Sequence, residues 1–258
     1  MKSRKAQLQA FERLLDIMDE LRENCPWDRK QTFETLRHLT IEETYELGDA
    51  ILDNDLEEIK KELGDLLLHI VFYSKIGSEK NAFDIADVAQ GISEKLIHRH
   101  PHIYGEIEVE NAEEVEKNWE SLKLKEGKKS VLEGVPKSLP ALVKAFRIQD
   151  KVAGVGFDWD KAAAVLGKVK EELEELQKEV DAADSDKMEA ELGDVMFSLV
   201  NYARFLKINP ENALERTNKK FIKRFRHVEF KAQALGKKIN ELTLAEMENF
   251  WQEAKLKD

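Results

Sequence analysis

The chain has 258 residues, 41 of them basic and 52 acidic, for a formal net charge of −11. That balance argues against a protein that coats nucleic acid, since such binding rests on neutralising phosphates, and no apolar run reaches the ~18 residues of a membrane span. The single cysteine, Cys25, excludes an intrachain disulfide and suits a reducing cytoplasm, and Met1-Lys2-Ser3-Arg4-Lys5 leads into an amphipathic stretch without the apolar block of a signal peptide.

Leu8, Phe11, Leu14, Leu15 and Met18 recur at helical spacing, so a first helix runs from about Arg4 to Arg22 and stops at Asn24-Cys25-Pro26. Trp27 follows in a loop, where a tryptophan is more often a hydrophobic plug than a ligand contact. A helix from about Thr32 to Leu52 carries Glu42, Glu43 and Glu46; the next, from about Leu56 to Ile76, carries Glu62 and Asp65 and is stopped by Gly77-Ser78. A fourth, about Asp84 to Arg99, ends in a histidine-rich stretch around Pro101, and Asn111 with Glu114 forms a capping box that opens a short helix bearing Trp119. Residues 127–140, with two glycines and two prolines and no sustained apolar period, read as a linker between modules at 1–126 and 141–258. The second module takes helices at about Ala141–Val152, through the glutamates to Val180, and Ser185–Leu206; Asn209-Pro210 caps another, and Thr243 with Glu246 opens the last, which bears Trp251.

One stretch organises this order because it occurs twice. Glu42-Glu43-x-x-Glu46, a fifteen-residue spacer and Glu62-Leu63-Gly64-Asp65 return 129 positions later as Glu171-Glu172-x-x-Glu175 and Glu191-Leu192-Gly193-Asp194 with the spacer unchanged. This is the signature of a duplicated helical module. On paired helices the carboxylates of each copy share one side, where mutual repulsion requires a cation, bound protons or full solvation. A solvated acidic face would account for one such motif; repetition of all five carboxylates in register favours a hard cation such as Mg²⁺ or Mn²⁺. The apolar residues Leu63, Leu66, Leu67, Ile70 and Val71, and Leu192, Val195, Met196, Leu199 and Val200, follow a helical stripe and are expected to be buried beside the carboxylates.

The doubled EExxE, spacer, ExxD pattern resembles the MazG family of nucleoside triphosphate pyrophosphohydrolases, in its two-domain bacterial form, over essentially the whole chain. The resemblance implies an all-α fold of two tandem modules packed as antiparallel four-helix-type bundles and completed by dimerisation into a homodimer, and Mg²⁺-dependent cleavage of a nucleoside triphosphate to the monophosphate and pyrophosphate. It places Mg²⁺ on Glu43, Glu46, Glu62 and Asp65 in one module and on Glu172, Glu175, Glu191 and Asp194 in the other. Glu42 and Glu171, beside Glu43 and Glu172, become candidates for orienting or deprotonating the attacking water. Lys95 with Arg99, and Lys220 with Arg224, lie four apart and suit a clamp on phosphate oxygens, with Trp119 and Trp251 as candidate nucleotide contacts. Lys187, one turn before Glu191, corresponds to Glu58 in the first module, a charge reversal that favours the second as the nucleotide site. The reading from a different class is a nucleotide- or metal-sensing module that binds without turnover.

Overall fold

The computed structural model of the protein describes residues 2–109, 111, 114–115 and 130–257. Regular structure among them is helical throughout, and the chain divides into two compact units, Met1–Val115 and Glu116–Asp258.

In the first unit, α1 (Arg4–Asn24) begins where Ser3 accepts a hydrogen bond from the Ala6 N–H and gives way to extended backbone at Cys25, ahead of Pro26. A capping box opens α2 (Phe33–Asp53): Thr35 N–H donates to Thr32 Oγ1 at 3.3 Å and Thr32 N–H to Thr35 Oγ1 at 2.8 Å. Only Asn54 and Asp55 separate α2 from α3 (Leu56–Glu79), so the two helices form an antiparallel hairpin. Then come α4 (Ile85–Arg99) and the single turn α5 (Pro101–Tyr104). The core forms where α1, α2 and α3 meet, around Met18, Leu36, Val71, Phe72 and Ile76. Each such side chain contributes about 2 kcal/mol by leaving water.

The second unit repeats the plan with α6 (Ala141–Ala153), α7 (Ala162–Ala182), α8 (Ser185–Phe205), α9 (Pro210–Ala234) and α10 (Leu244–Lys255). Here α7 pairs with α8, α6 packs on α8 and α9, and α10 closes on α9 around Val228, Ala232 and Leu242. The caps expected at Asn209-Pro210 and Thr243/Glu246 are formed, with Asn209 Oδ1 accepting from Asn212 N–H at 3.0 Å and Glu246 Oε2 from Thr243 N–H at 2.8 Å.

The hairpin turn is itself duplicated. Asn54 and Ala183, 129 positions apart, both adopt the left-handed region, with φ of 55° and 56°, and the aspartate after each caps the next helix. Asparagine accepts that conformation readily, whereas alanine pays about 1 kcal/mol for it. An Asp N-cap returns a contribution of about the same size, so the turn geometry is kept in both copies.

Three expectations need correction. Gly77 does not stop α3, which runs on to Glu79; its role is close approach, since a Cβ there would lie 2.7 Å from the Phe83 ring and 2.9 Å from the Phe83 carbonyl oxygen. The apolar stripe is only half buried within its unit: Val71, Val195 and Val200 are covered, but Leu63, Leu67 and Ile70, and likewise Leu192, Met196 and Leu199, are exposed. The neighbouring helices cover the side of α3 that bears Glu62, His69, Phe72 and Ile76, and the stripe straddles the edge of that contact. Trp27 is 57% exposed and plugs nothing within its unit.

The helix expected to bear Trp119 lies outside the described residues except at its start, where Glu114 N–H donates to Asn111 Oδ1 at 2.9 Å. The described part of the 127–140 stretch is fastened to α6: Lys151 Nζ donates to Val131 O at 3.1 Å and Lys144 Nζ to Lys137 O at 2.7 Å.

Candidate functional site

The hairpin sets the register of the carboxylates. Glu46 stands eight residues before Asn54 and Glu62 eight after it, and Glu175 and Glu191 stand likewise about Ala183. At 1.5 Å of rise per residue both members of each pair lie about 12 Å from the turn, and so face each other across the hairpin. Glu43 joins one turn farther along α2, and Glu172 along α7. As a result Glu43, Glu46 and Glu62 bring ligand oxygens within 4.8 Å of one another, and so do Glu172, Glu175 and Glu191. Asp65 and Asp194 stand beside these trios, close enough for their charge to raise the proton affinity of Glu43 and Glu191 respectively.

The electrostatics are those of crowded anions. Burial, followed by the charges of Asp65, Glu46 and Glu62, pushes the Glu43 pKa up. Burial and then Glu62 and Glu42 do the same to Glu46. In the second trio burial, then Glu175, Asp194 and Glu172, raise Glu191. Glu62 goes the other way, because Lys61 Nζ donates to its Oε1 at 2.9 Å. Its Oε2 is buried without a hydrogen-bond partner among the described residues, in a side chain that is 3% exposed. An anionic oxygen left so, with two further carboxylates beside it, fits a divalent cation bound through oxygen.

Each cluster also holds a lysine that motif reading missed. Lys61 comes from α3 in the first unit, and its counterpart 129 positions on is Ala190; Lys168 comes from α7 in the second, and its counterpart is Leu39. Lys168 Nζ lies 2.8 Å from Glu171 Oε1 and 2.7 Å from Glu172 Oε1. The signal was present in the sequence, since a lysine three and four residues before two glutamates shares their helix face.

The remaining candidates are scattered more widely. The Lys187 ammonium lies 3.4 Å from Asp184 and 3.6 Å from Glu179, at the hairpin turn, while Glu58 pairs with Lys61 at 3.2 Å. Glu179 also adds its charge to the field at Glu191, which ties Lys187 to the cluster through one intervening carboxylate. Arg224 stacks over the Trp251 ring at 5.8 Å, Phe221 packs on the same ring at 4.9 Å, and Lys220 is exposed one turn earlier. Lys95 is exposed and Arg99 half-buried on α4. Glu42 and Glu171 are exposed at the rims of their clusters, and Trp119 lies outside the described residues.

The family description "MazG nucleotide pyrophosphohydrolase domain" matches residues 31–104 and 161–229, segments that contain both carboxylate hairpins. The chain belongs to the MazG family. It is similar to the nucleoside triphosphate pyrophosphohydrolase of Escherichia coli strain K12, 43% identical over 95% of this chain and 97% of that one. It is similar also to the nucleoside triphosphate pyrophosphohydrolase/pyrophosphatase MazG of Thermotoga maritima, 42% identical over 95% of each chain. Among solved structures, a MazG-related protein from Thermotoga maritima matches at 32% identity with a TM-score of 0.39, covering 44% of this chain and 98% of that chain. Among the described residues of this MazG-family chain, no helix is long and apolar enough to cross a membrane.

Proposed function

We propose that the protein is a hydrolase that cleaves nucleoside triphosphates between the α and β phosphates, releasing the nucleoside monophosphate and pyrophosphate, in nucleotide-pool control. The observation that carries this reading is the pair of carboxylate trios, each within 4.8 Å, built in the same register in a MazG-family chain. Glu172, Glu175, Glu191 and Asp194 would hold Mg²⁺, and Glu43, Glu46, Glu62 and Asp65 would do so in the other unit. A bound Mg²⁺ supplies charge neutralisation and polarisation of the phosphoanhydride. Glu171 and Glu42, at the rims of their clusters, orient the water that adds across the bond and take its proton. Lys220 and Arg224, with Lys95 and Arg99 as their counterparts, supply positive charge to the phosphates, and Trp251 beside Arg224 offers an aromatic face.

Two further parts belong to the same proposal. A homodimer is supported by the exposed stripes, because Leu63, Leu67 and Ile70 recur at the same three positions as Leu192, Met196 and Leu199. Identical apolar positions left open in both modules fit a second copy of the chain. A modular boundary near residues 127–140 and a cytoplasmic setting complete the reading, the latter supported by the single free Cys25.

The test is incubation with each nucleoside triphosphate and Mg²⁺, with products resolved by anion exchange. Monophosphate plus pyrophosphate is the expected pair. Diphosphate plus phosphate, or binding without product, overturns the reading.

A further inference from the structure

The first unit holds a groove of about 270 Å³ between the end of α2 and the start of α3, lined among the described residues by six carboxylates, Glu46, Asp49, Asp53, Asp55, Glu58 and Glu62, against the ammonium of Lys61. Their spacing is regular. Glu46, Asp49 and Asp53 follow at i, i+3 and i+7 along α2, and Asp55, Glu58 and Glu62 do the same from the cap of α3, so each set occupies one helix face. Counted from the turn they form three rungs across the hairpin, Asp53 with Asp55, Asp49 with Glu58 and Glu46 with Glu62, set about 5 Å apart. The anionic ladder runs for about 10 Å.

Glu62 stands at the inner end of the ladder, 3% exposed, and its Oε2 has no hydrogen-bond partner among the described residues. A buried anionic oxygen left so is costly until a cation reaches it. Beside it an alkylammonium is already seated: Lys61 Nζ lies 2.9 Å from Glu62 Oε1 and 3.2 Å from Glu58 Oε2, so these carboxylates accept a primary amine. The end of α2 deepens the negative potential, because its last turn carries Asp53 and no basic residue to offset the helix C-terminus. The second unit is built otherwise. Its counterparts of Asp49 and Glu58 are Lys178 and Lys187, and that of Asp53 is Ala182, so the middle rung there is cationic and a polycation is favoured in the first unit alone.

We propose that this groove binds a linear polyamine such as spermidine, whose ammonium groups occupy successive rungs between α2 and α3. The short carbon links between the ammonium groups cover the distance from rung to rung, and each ammonium donates to the carboxylates that face it. A divalent metal ion concentrates its charge at one point and reaches a single rung, whereas carboxylates spread along about 10 Å match a charge that is spread likewise. Such binding does not depend on triphosphate hydrolysis. A polyphosphate is repelled by the same ladder.

The test is calorimetric titration of the full-length protein with spermidine in metal-free buffer at low salt, where nothing competes at Glu46 and Glu62. One saturable event per chain is expected, and it weakens as NaCl is added. Putrescine, with one ammonium fewer, binds about fivefold more weakly. Asp49→Asn with Asp53→Asn removes two exposed carboxylates without touching the core and weakens spermidine about tenfold. Glu229→Gln with Glu248→Gln removes the same charge from exposed positions of the second unit and leaves the affinity as it was. If the first pair melts below the titration temperature, Glu58→Gln carries the test at the middle rung, with a loss of about fivefold expected. Absence of a saturable event with the unmodified protein overturns the proposal without any variant. So do weak events that respond equally to both double variants, the mark of unspecific attraction to a chain of net charge −11. Unmodified affinity in Asp49→Asn with Asp53→Asn, or in Glu58→Gln, places the amine outside the groove and overturns it likewise.

Discussion

Lys168 Nζ lies 2.7 Å from the Glu172 carboxylate, so the second acidic cluster carries an internal cation on its own helix. The first cluster solves the same problem from the other helix of the hairpin, with Lys61 on Glu62 at 2.9 Å. In both cases the carboxylates hold the ammonium in its charged form, raising the lysine pKa through hydrogen bonds, to Glu171 first in one cluster and to Glu62 first in the other. Removing Lys168 leaves the trio of glutamates to repel one another unless a divalent ion takes up the charge. Lys168→Met is therefore expected to lower Tm in EDTA and to gain more Tm from added Mg²⁺ than the unmodified protein does. Thermal melts at fixed pH with and without Mg²⁺ check this, and an equal Mg²⁺ response in the two proteins would separate Lys168 from the metal site.

The two units differ in structure around their acidic clusters. Glu172 is buried, whereas Glu43 is only half-buried, and the place of Asn201 on α8 is taken in the first unit by the buried Phe72. Glu172→Gln keeps the shape of the side chain and removes one anionic ligand. It is expected to reduce kcat by about a hundredfold or more, the scale on which one transition-state contact acts. Glu43→Gln should cost less than about tenfold by the same measure. Steady-state pyrophosphate release from the two variants decides it; equal losses would mean two working sites.

The carboxylate register was readable because it depends on local geometry alone: helix rise, a two-residue turn and an aspartate cap fix where Glu46 meets Glu62. The same holds for the caps at Asn209 and Thr243, whose partners lie three residues away. Which half of the apolar stripe is covered was not readable, since Leu63 and Val71 look equally apolar in sequence and only the placement of neighbouring helices tells them apart. A cavity of about 520 Å³ between α6, the Gly156–Trp159 loop and α8 lay further out of reach. Gln149, Trp159 and Asn201 come from three segments with no shared period, and the bond that orients Gln149 reaches the Phe197 carbonyl 48 residues away.

Acid sensitivity should show at the last helix. Glu246 closes the capping box of α10, and its pKa is lowered from 4.5 to about 2, first by the hydrogen bond from Lys237 and then by the Thr243 N–H. A carboxylate depressed in the folded state adds stability that is fully present above pH 4.5 and is lost as pH falls from there toward 2. Glu246→Gln should therefore lower Tm at pH 7, and the gap from the unmodified protein should close between pH 4.5 and 2.5, a range spanned by the 4.5 and about 2 of the free and folded groups. Melting curves across that interval read the difference, and a constant gap would show that the cap acts without its charge.

The exposed stripes lead to the last prediction. Leu63, Leu67 and Ile70 follow one another at i, i+4 and i+7 on α3, and Leu192, Met196 and Leu199 do so on α8, each set about half exposed. Open apolar surface at matching positions is costly in water, and burying one leucine or methionine against a partner contributes about 2 kcal/mol. With six such side chains per chain and a two-fold arrangement, association through these faces would be strong at micromolar concentration. Light scattering should return about twice the 29.8 kDa chain mass. A charge in the middle of a stripe would be stranded in the interface at a cost that exceeds what one pair of apolar contacts returns. Leu67→Glu together with Met196→Glu should therefore shift the mass to that of one chain while circular dichroism stays helical, because neither side chain belongs to the buried core of its own unit. An unmodified protein already at 29.8 kDa, or a double variant that stays at twice that mass, would place the association elsewhere or remove it.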